Sequence, residues 1–236
     1  MPNQEYTDLS LKAHCAQCAA KSPLFKLLNP EELDIINRNR HEVTYNSGEM
    51  IFKQGAPLTH VLSFNQGLAK MQVEGADGAR IILRLVKPVE FICGMGLFSD
   101  NLNQFTLRAM QRSSVCFIDK QNFKEILKNN TAFMMAFLRH IESFQAWTLQ
   151  KLINLNQKHS GGRIAESLLY LANEVYGADA FESHLSTSEL SELSGISKES
   201  AFKVLNDLSH QGIVSREGSR FAIRNKVLLE KVSRNG

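Results

Sequence analysis

Glu199, Lys203, Asn206 and His210 recur at spacings of four, three and four residues, which places them along one side of a helix at about 100° per residue. On the other side Ala201, Val204, Leu205 and Leu208 form an apolar stripe suited to burial. A row of carboxylate, ammonium, amide and imidazole groups is equipment for reading base edges. A Glu accepts from cytosine N4, and a Lys donates to guanine O6 or N7. A second set of reactive side chains is the thiols. Cys15 and Cys18 stand two residues apart, with Cys93 and Cys116 farther along, and redox and metal sites share that C-x-x-C spacing. No Ser/His/Asp grouping, HExxH motif or P-loop appears, so the chain carries no hydrolytic or phosphoryl-transfer signature.

The elements that must position the polar row read as two short helices joined by a glycine. Ser186 and Glu189 form a capping box for the first helix, which Leu190 and Leu193 make apolar on one face. Gly195 tolerates the positive φ of a sharp turn, and Ser197 caps the second helix. A second helix with a buried back and a polar front is what a DNA recognition helix needs. Charge is distributed accordingly. Residues 160–195 hold one basic and six acidic side chains, whereas residues 196–236 hold eight basic and four acidic ones, so positive charge gathers where phosphates would lie.

At 236 residues the chain has room for two cores. No apolar run approaches the ~18–20 residues that span a bilayer, and no secretory signal is visible. Four cysteines make no disulfide framework, which points to the cytoplasm.

Residues 1–22 read as a polar surface arm. Asn29-Pro30 opens a helix with a cap and a first-turn proline. Residues 43–118 alternate short β-type runs (50–52, 60–64, 68–73, 80–85 and 115–118) with glycines, the pattern of a sandwich or rolled barrel. Asp77-Gly78 signals a hairpin. A short helix is expected over 122–128, and a long one runs from a cap at Asn130 or Thr131 to about Lys158. On it Met134, Phe137, Ile141, Phe144, Thr148, Leu152 and Leu155 approximate a coiled-coil seam. A second apolar group (Phe133, Leu138, Trp147, Leu149, Ile153) exceeds what one face can hide, so one face is expected on the β-unit and the other on a second copy. Gly161-Gly162 breaks the helix and marks the boundary.

Three motifs, which follow one another along the chain in the order expected, carry a resemblance. GRIAESLLYLA (162–172), the run from Gly48 to Gly55 followed by Gly67-Leu68-Ala69-Lys70, and the segment 197–214 resemble the Crp/Fnr superfamily of transcription regulators. The resemblance implies an α+β architecture: a double-stranded β-helix (β-roll) sensor domain, a long dimerisation helix and a winged helix-turn-helix. It divides the chain into an arm (1–22), a β-roll (23–129), a dimer helix (130–159) and a DNA-binding domain (160–236). The family's base-reading Glu and Arg fall on Glu199 and Lys203, with Phe202 between them where Ser or Gly is usual. Ser200 and Asn206 lie on the same helix, and Lys198, Arg216 and Arg220 read as phosphate contacts.

For the sensor, the resemblance points to an effector loop that includes Gly94, Gly96, Leu97 and Phe98, with Gln104 and Arg108 nearby. Cyclic-AMP-binding relatives use a Gly-Glu and an Arg-Ser pair. Here the first is missing and Gln104-Phe105 replaces the second, leaving no cation for the cyclic phosphate, which argues against cyclic AMP. Oxygen-sensing relatives hold an iron–sulfur cluster on an arm and one distant cysteine, and Cys15, Cys18 and Cys116 match three of those positions, but Leu24 falls on the remaining one. Cys93 would complete a Cys₄ set if it lay near the arm, and His14 a Cys₃His zinc site. Haem, zinc, a thiol switch and unligated thiols remain open. The resulting expectation is a cytoplasmic homodimer that binds a near-palindromic duplex and contacts RNA polymerase, without catalysis and without a membrane. Its rivals are a thiol-disulfide or metal-dependent redox protein using Cys15/Cys18, and a ligand-binding β-roll that does not bind DNA.

Overall fold

A computed structural model describes residues 15, 18, 22–93, 95–99 and 101–236. A 3-10 turn at Pro23–Leu27 leads to α1 (Pro30–Asn37), where Asn29 and Glu32 exchange hydrogen bonds as a capping box and Pro30 occupies the first turn. The strands follow as β1 (His41–Tyr45), β2 (Met50–Phe52), β3 (His60–Gln66), β4 (Ala69–Glu74), β5 (Arg80–Val86), β6 (Glu90–Ile92), β7 (Thr106–Ala109) and β8 (Ser113–Asp119). They pair into two four-stranded antiparallel sheets, ordered β1-β8-β3-β6 and β2-β7-β4-β5. Ile51, Phe64, Met71, Phe105, Leu107 and Val115 fill the space between them. Gly78, at φ +79°, turns the β4–β5 hairpin as Asp77-Gly78 predicts.

Asp119 caps α2 (Lys120–Asn129), and Asn130 caps α3 (Thr131–Gln157) through the Phe133 N–H. A phenylalanine cluster joins these helices to the roll, with the Phe91 and Phe123 rings stacked at 5.1 Å and Phe133 edge-on to Phe123 at 5.5 Å.

The two apolar groups on α3 sort differently from the predicted seam. Phe133 and Phe137 are buried, and Ile141 and Phe144 pack against the roll cores. Met134, Met135, Leu138, Leu149, Leu152 and Ile153 are exposed, with Leu149 and Leu152 at 59% and 62%. Each predicted group therefore splits between roll and solvent, because the roll claims whichever residues face it. The helix break also lies earlier than Gly161-Gly162. Lys158 leaves the helical region (φ −92°, ψ 144°), and α4 (Ser160–Tyr170) begins with both glycines in its first turn. Gly162 is required by close approach, since a Cβ there would sit 2.6 Å from the Gly236 carbonyl oxygen.

A π-helical turn at Leu171–Tyr176 extends α4 and ends at Gly177. The rest is β9 (Ala180–Glu182), α5 (Thr187–Ser194), α6 (Lys198–His210), β10 (Val214–Glu217), β11 (Arg220–Ile223) and α7 (Lys226–Asn235), with the strands forming a sheet ordered β10-β11-β9. Its core, built on Ile164, Leu168, Leu190, Leu205 and Phe221, also takes in Leu68, Ile82 and Leu85 of the roll. Among the described residues no helix is long and apolar enough to cross a membrane.

Candidate nucleic-acid interface and sensor sites

The helix-turn-helix assembles from local chemistry. Ser186 Oγ accepts from the Glu189 N–H, and Glu189 returns the bond to the Ser186 N–H, which fixes the start of α5. Gly195 ends α5 at φ +62°, and a Cβ there would run into Leu155. Ser197 caps α6 through the Ser200 N–H at 3.1 Å. Ala201, Leu205 and Leu208 are buried, whereas Lys198, Glu199, Phe202, Lys203, Asn206 and His210 are exposed. Phe202 is 57% exposed and does not fold back into the core. Glu199's own backbone N–H, and then the Ser197 hydroxyl, hold its carboxyl below the usual range. It therefore stays an acceptor at neutral pH.

The wing residues differ in freedom. Arg220 stands exposed at the start of β11. Arg216 is committed within the protein. Its Nη2 donates to Thr187 Oγ1 at 2.7 Å, its Nε donates to the Gly218 carbonyl at 3.2 Å, and its guanidinium lies 5.3 Å from the Phe221 ring centre. This ties the wing to the start of α5. Ser200, half-buried, bonds to Ser197.

The residues assigned to an effector loop go to separate places. Gly94 lies outside the described residues. Gly96 and Leu97 are buried, the latter in the phenylalanine cluster, while Phe98 is 66% exposed beneath the Lys124 ammonium. Gln104 is half-buried, its neighbour Phe105 packs on Phe52 at 5.3 Å, and Arg108 donates to the Gly48 carbonyl. With an apolar ring where a phosphate-binding hydroxyl would be and Arg108 engaged elsewhere, these residues do not fit a cyclic phosphate. A cavity of about 570 Å³ lies instead at the junction of β5, β6, α3 and α4, lined by Arg84, His140, Phe144, Trp147 and Tyr170 among others. No motif marks it, because its residues come from four separate segments. Burial, then the nearby Arg84 charge, pull the His140 imidazole below its usual 6.5 there.

The thiols divide three to one. Cys15, Cys18 and Cys116 line one cavity with Arg40, Asn65 and Phe25. At about 10 Å³ it has room for roughly one water. Cys93 is not part of it. It packs beside the phenylalanine cluster, where burial pushes its thiol up to about 12. The Cys₄ set completed by Cys93 is therefore not formed. His14 lies outside the described residues, and Leu24 is buried in the core. Among the described residues no group of three or more His, Cys, Asp or Glu could hold a metal ion. Arg40 Nη1 donates to Cys116 Sγ at 2.9 Å, placing a cation where a metal would have to bind. An iron–sulfur Cys₄ set completed by Cys93 does not fit the described residues, whereas the Cys₃His zinc alternative turns on His14, which lies outside them.

A sensor roll coupled to a winged helix-turn-helix defines a class of DNA-binding regulators, and comparison with known proteins agrees. The chain matches the cyclic nucleotide-binding domain model over residues 42–130 and the Crp-like helix-turn-helix domain model over residues 162–232. It is 23% identical to the cAMP-activated global transcriptional regulator CRP of Salmonella typhimurium, over 78% of this chain and 89% of that one. It is likewise 23% identical to the transcriptional activator protein anr of Pseudomonas aeruginosa, over 92% and 91%. A putative transcriptional regulator of the Crp/Fnr family from Eubacterium rectale has the same fold at a TM-score of 0.75 and 17% identity, covering 90% of this chain and 98% of that one. The chain belongs to the Crp/Fnr family of transcription regulators.

Proposed function

We propose that the protein is a homodimer which inserts α6 of each copy into successive major grooves of a near-palindromic duplex, about 34 Å apart. Glu199 and Lys203 read bases, Phe202 and Asn206 flank them, and Lys198 and Arg220 contact phosphates. The observation that carries this reading is the exposure of the whole row from Glu199 to His210 on a helix whose back is buried. The second copy is supported by the exposed stripe of Leu138, Leu149 and Leu152 on α3, since burying a leucine stabilises by roughly 1.5–3 kcal/mol. A signal in the roll reaches the DNA-binding domain through the β4–β5 hairpin, which shares that domain's core. The protein works in the cytoplasm, is not an enzyme and contacts RNA polymerase as its family does. Gel shifts on selected duplexes, run with sizing in solution, test this. Wild type shifts DNA as a dimer, and both Glu199→Ala and Lys203→Ala weaken the shift. A monomer, or indifference of both variants, refutes it.

A further inference from the structure

We infer that Cys116 and the Cys15–Cys18 pair form an oxidisable thiol site, built around Arg40, that a hydroperoxide converts to a disulfide. Three of the four cysteines, from segments about a hundred residues apart, meet in one cavity. Two donors converge on a single sulfur there: Arg40 Nη1 at 2.9 Å and Asn65 Nδ2 at 3.0 Å from Cys116 Sγ. A neutral thiol is a weak acceptor, so a buried guanidinium and an amide aimed at it suit sulfur carrying negative charge. Arg40 is 7% exposed; burial alone would lower its pKa, but the Cys116 and then the Cys15 sulfur outweigh that and raise it. The same cation that steadies a thiolate repels a metal ion, which separates this chemistry from ligation.

Burial pushes the Cys116 thiol up, while Asn65 and then Arg40 pull against it. The site therefore rests protonated, and its oxidation quickens as pH rises and the thiolate forms. The Cys116 thiolate attacks one peroxide oxygen, the O–O bond breaks, and the departing hydroxide takes up the thiol's proton as water, leaving a sulfenic acid. A thiol of Cys15 or Cys18 then attacks that sulfur, the S–O bond breaks and a second water leaves. Two thiols have given two electrons to one peroxide.

The inference rests on the Crp/Fnr reading only for its regulatory use. The chemistry is tested separately, on the full-length protein, by treating reduced protein with hydrogen peroxide and mapping the non-reduced digest. The expected result is a peptide joining residue 116 to residue 15 or 18, with loss of two free thiols. That peptide should form unchanged in Cys93→Ser, disappear in Cys116→Ser, and form several-fold more slowly in Arg40→Met at the same pH. The double variant Cys15→Ser/Cys18→Ser should abolish it without altering the strand. A disulfide confined to Cys15 and Cys18, no cross-link in folded wild type, or a stoichiometric metal lost on Cys116→Ser would overturn the inference. DNA binding can persist through any of these outcomes, so failure of the thiol site is distinguishable from failure of the regulator reading.

Discussion

Lys70 of the roll places its Nζ 2.6 Å from Glu189 Oε1, while Glu189 Oε2 accepts the Ser186 N–H at 2.8 Å. One carboxylate thus caps α5 and binds the sensor domain to it. The Lys70 side chain is 9% exposed, so removing its partner leaves a largely buried charge. Glu189→Gln should cost about 3 kcal/mol, read by urea denaturation. A change within a few tenths would show that the pair is not structural.

The same pair sets an acid limit. Burial alone would raise the Glu189 carboxyl, but the Lys70 ammonium and then the Ser186 N–H hold it below 4.5. A carboxyl with a lower pKa in the folded state contributes stability above its unfolded pKa and loses it as pH falls through the folded value. Stability should therefore fall between about pH 4.5 and lower values, less steeply in Glu189→Gln. Equal slopes in the two proteins would contradict the assignment.

Lys151 on α3 predicts the opposite limb. Burial pushes its ammonium down from 10.5 to about 8, although Glu166 works against the shift. Between those values the unfolded chain holds a proton that the folded one has released, so stability rises with pH. Lys151→Met should flatten that rise and stabilise the protein at pH 7, as thermal melts at several pH values would show. An unchanged slope would place the Lys151 charge in solvent.

On α6, Glu199→Ala and Lys203→Ala should each cost roughly 1–3 kcal/mol of specific affinity and relax selectivity at one base pair. Melting temperature should hold, because both side chains are exposed. Arg220→Ala should weaken binding to all sequences alike and lower the salt slope by about one. Arg216→Ala differs, because that side chain bridges the wing to Thr187. It should lower stability as well as affinity.

What the sequence made legible was local. Asn29, Asn130, Ser186 and Ser197 each cap the helix they announce, because a cap depends on a few neighbouring residues. The β4–β5 hairpin followed from Asp77-Gly78 for the same reason. Less legible was anything decided by distant packing. β6 (Glu90–Ile92) and β7 (Thr106–Ala109) take their places by pairing with β3 and with β2 and β4, partners distant in sequence. The faces of α3 were missorted because both are apolar, and only the roll's shape decides which is buried. The partners of Cys116 lie 76 and 51 residues away in sequence, so no spacing rule finds Arg40 or Asn65. The effector loop is an expectation carried over by resemblance, and local sequence does not show that Leu97 enters the phenylalanine cluster while Phe98 stays exposed, because distant packing decides both.

The most direct test of the central claim is selection of duplexes from a random library by the purified full-length protein, followed by sequencing. Two α6 helices related by a two-fold axis predict enriched sites with inverted half-sites about 10 base pairs apart, centre to centre, and that symmetry should survive Phe202→Ala. Enrichment of a single unrepeated half-site, or none above background at low salt, would contradict it.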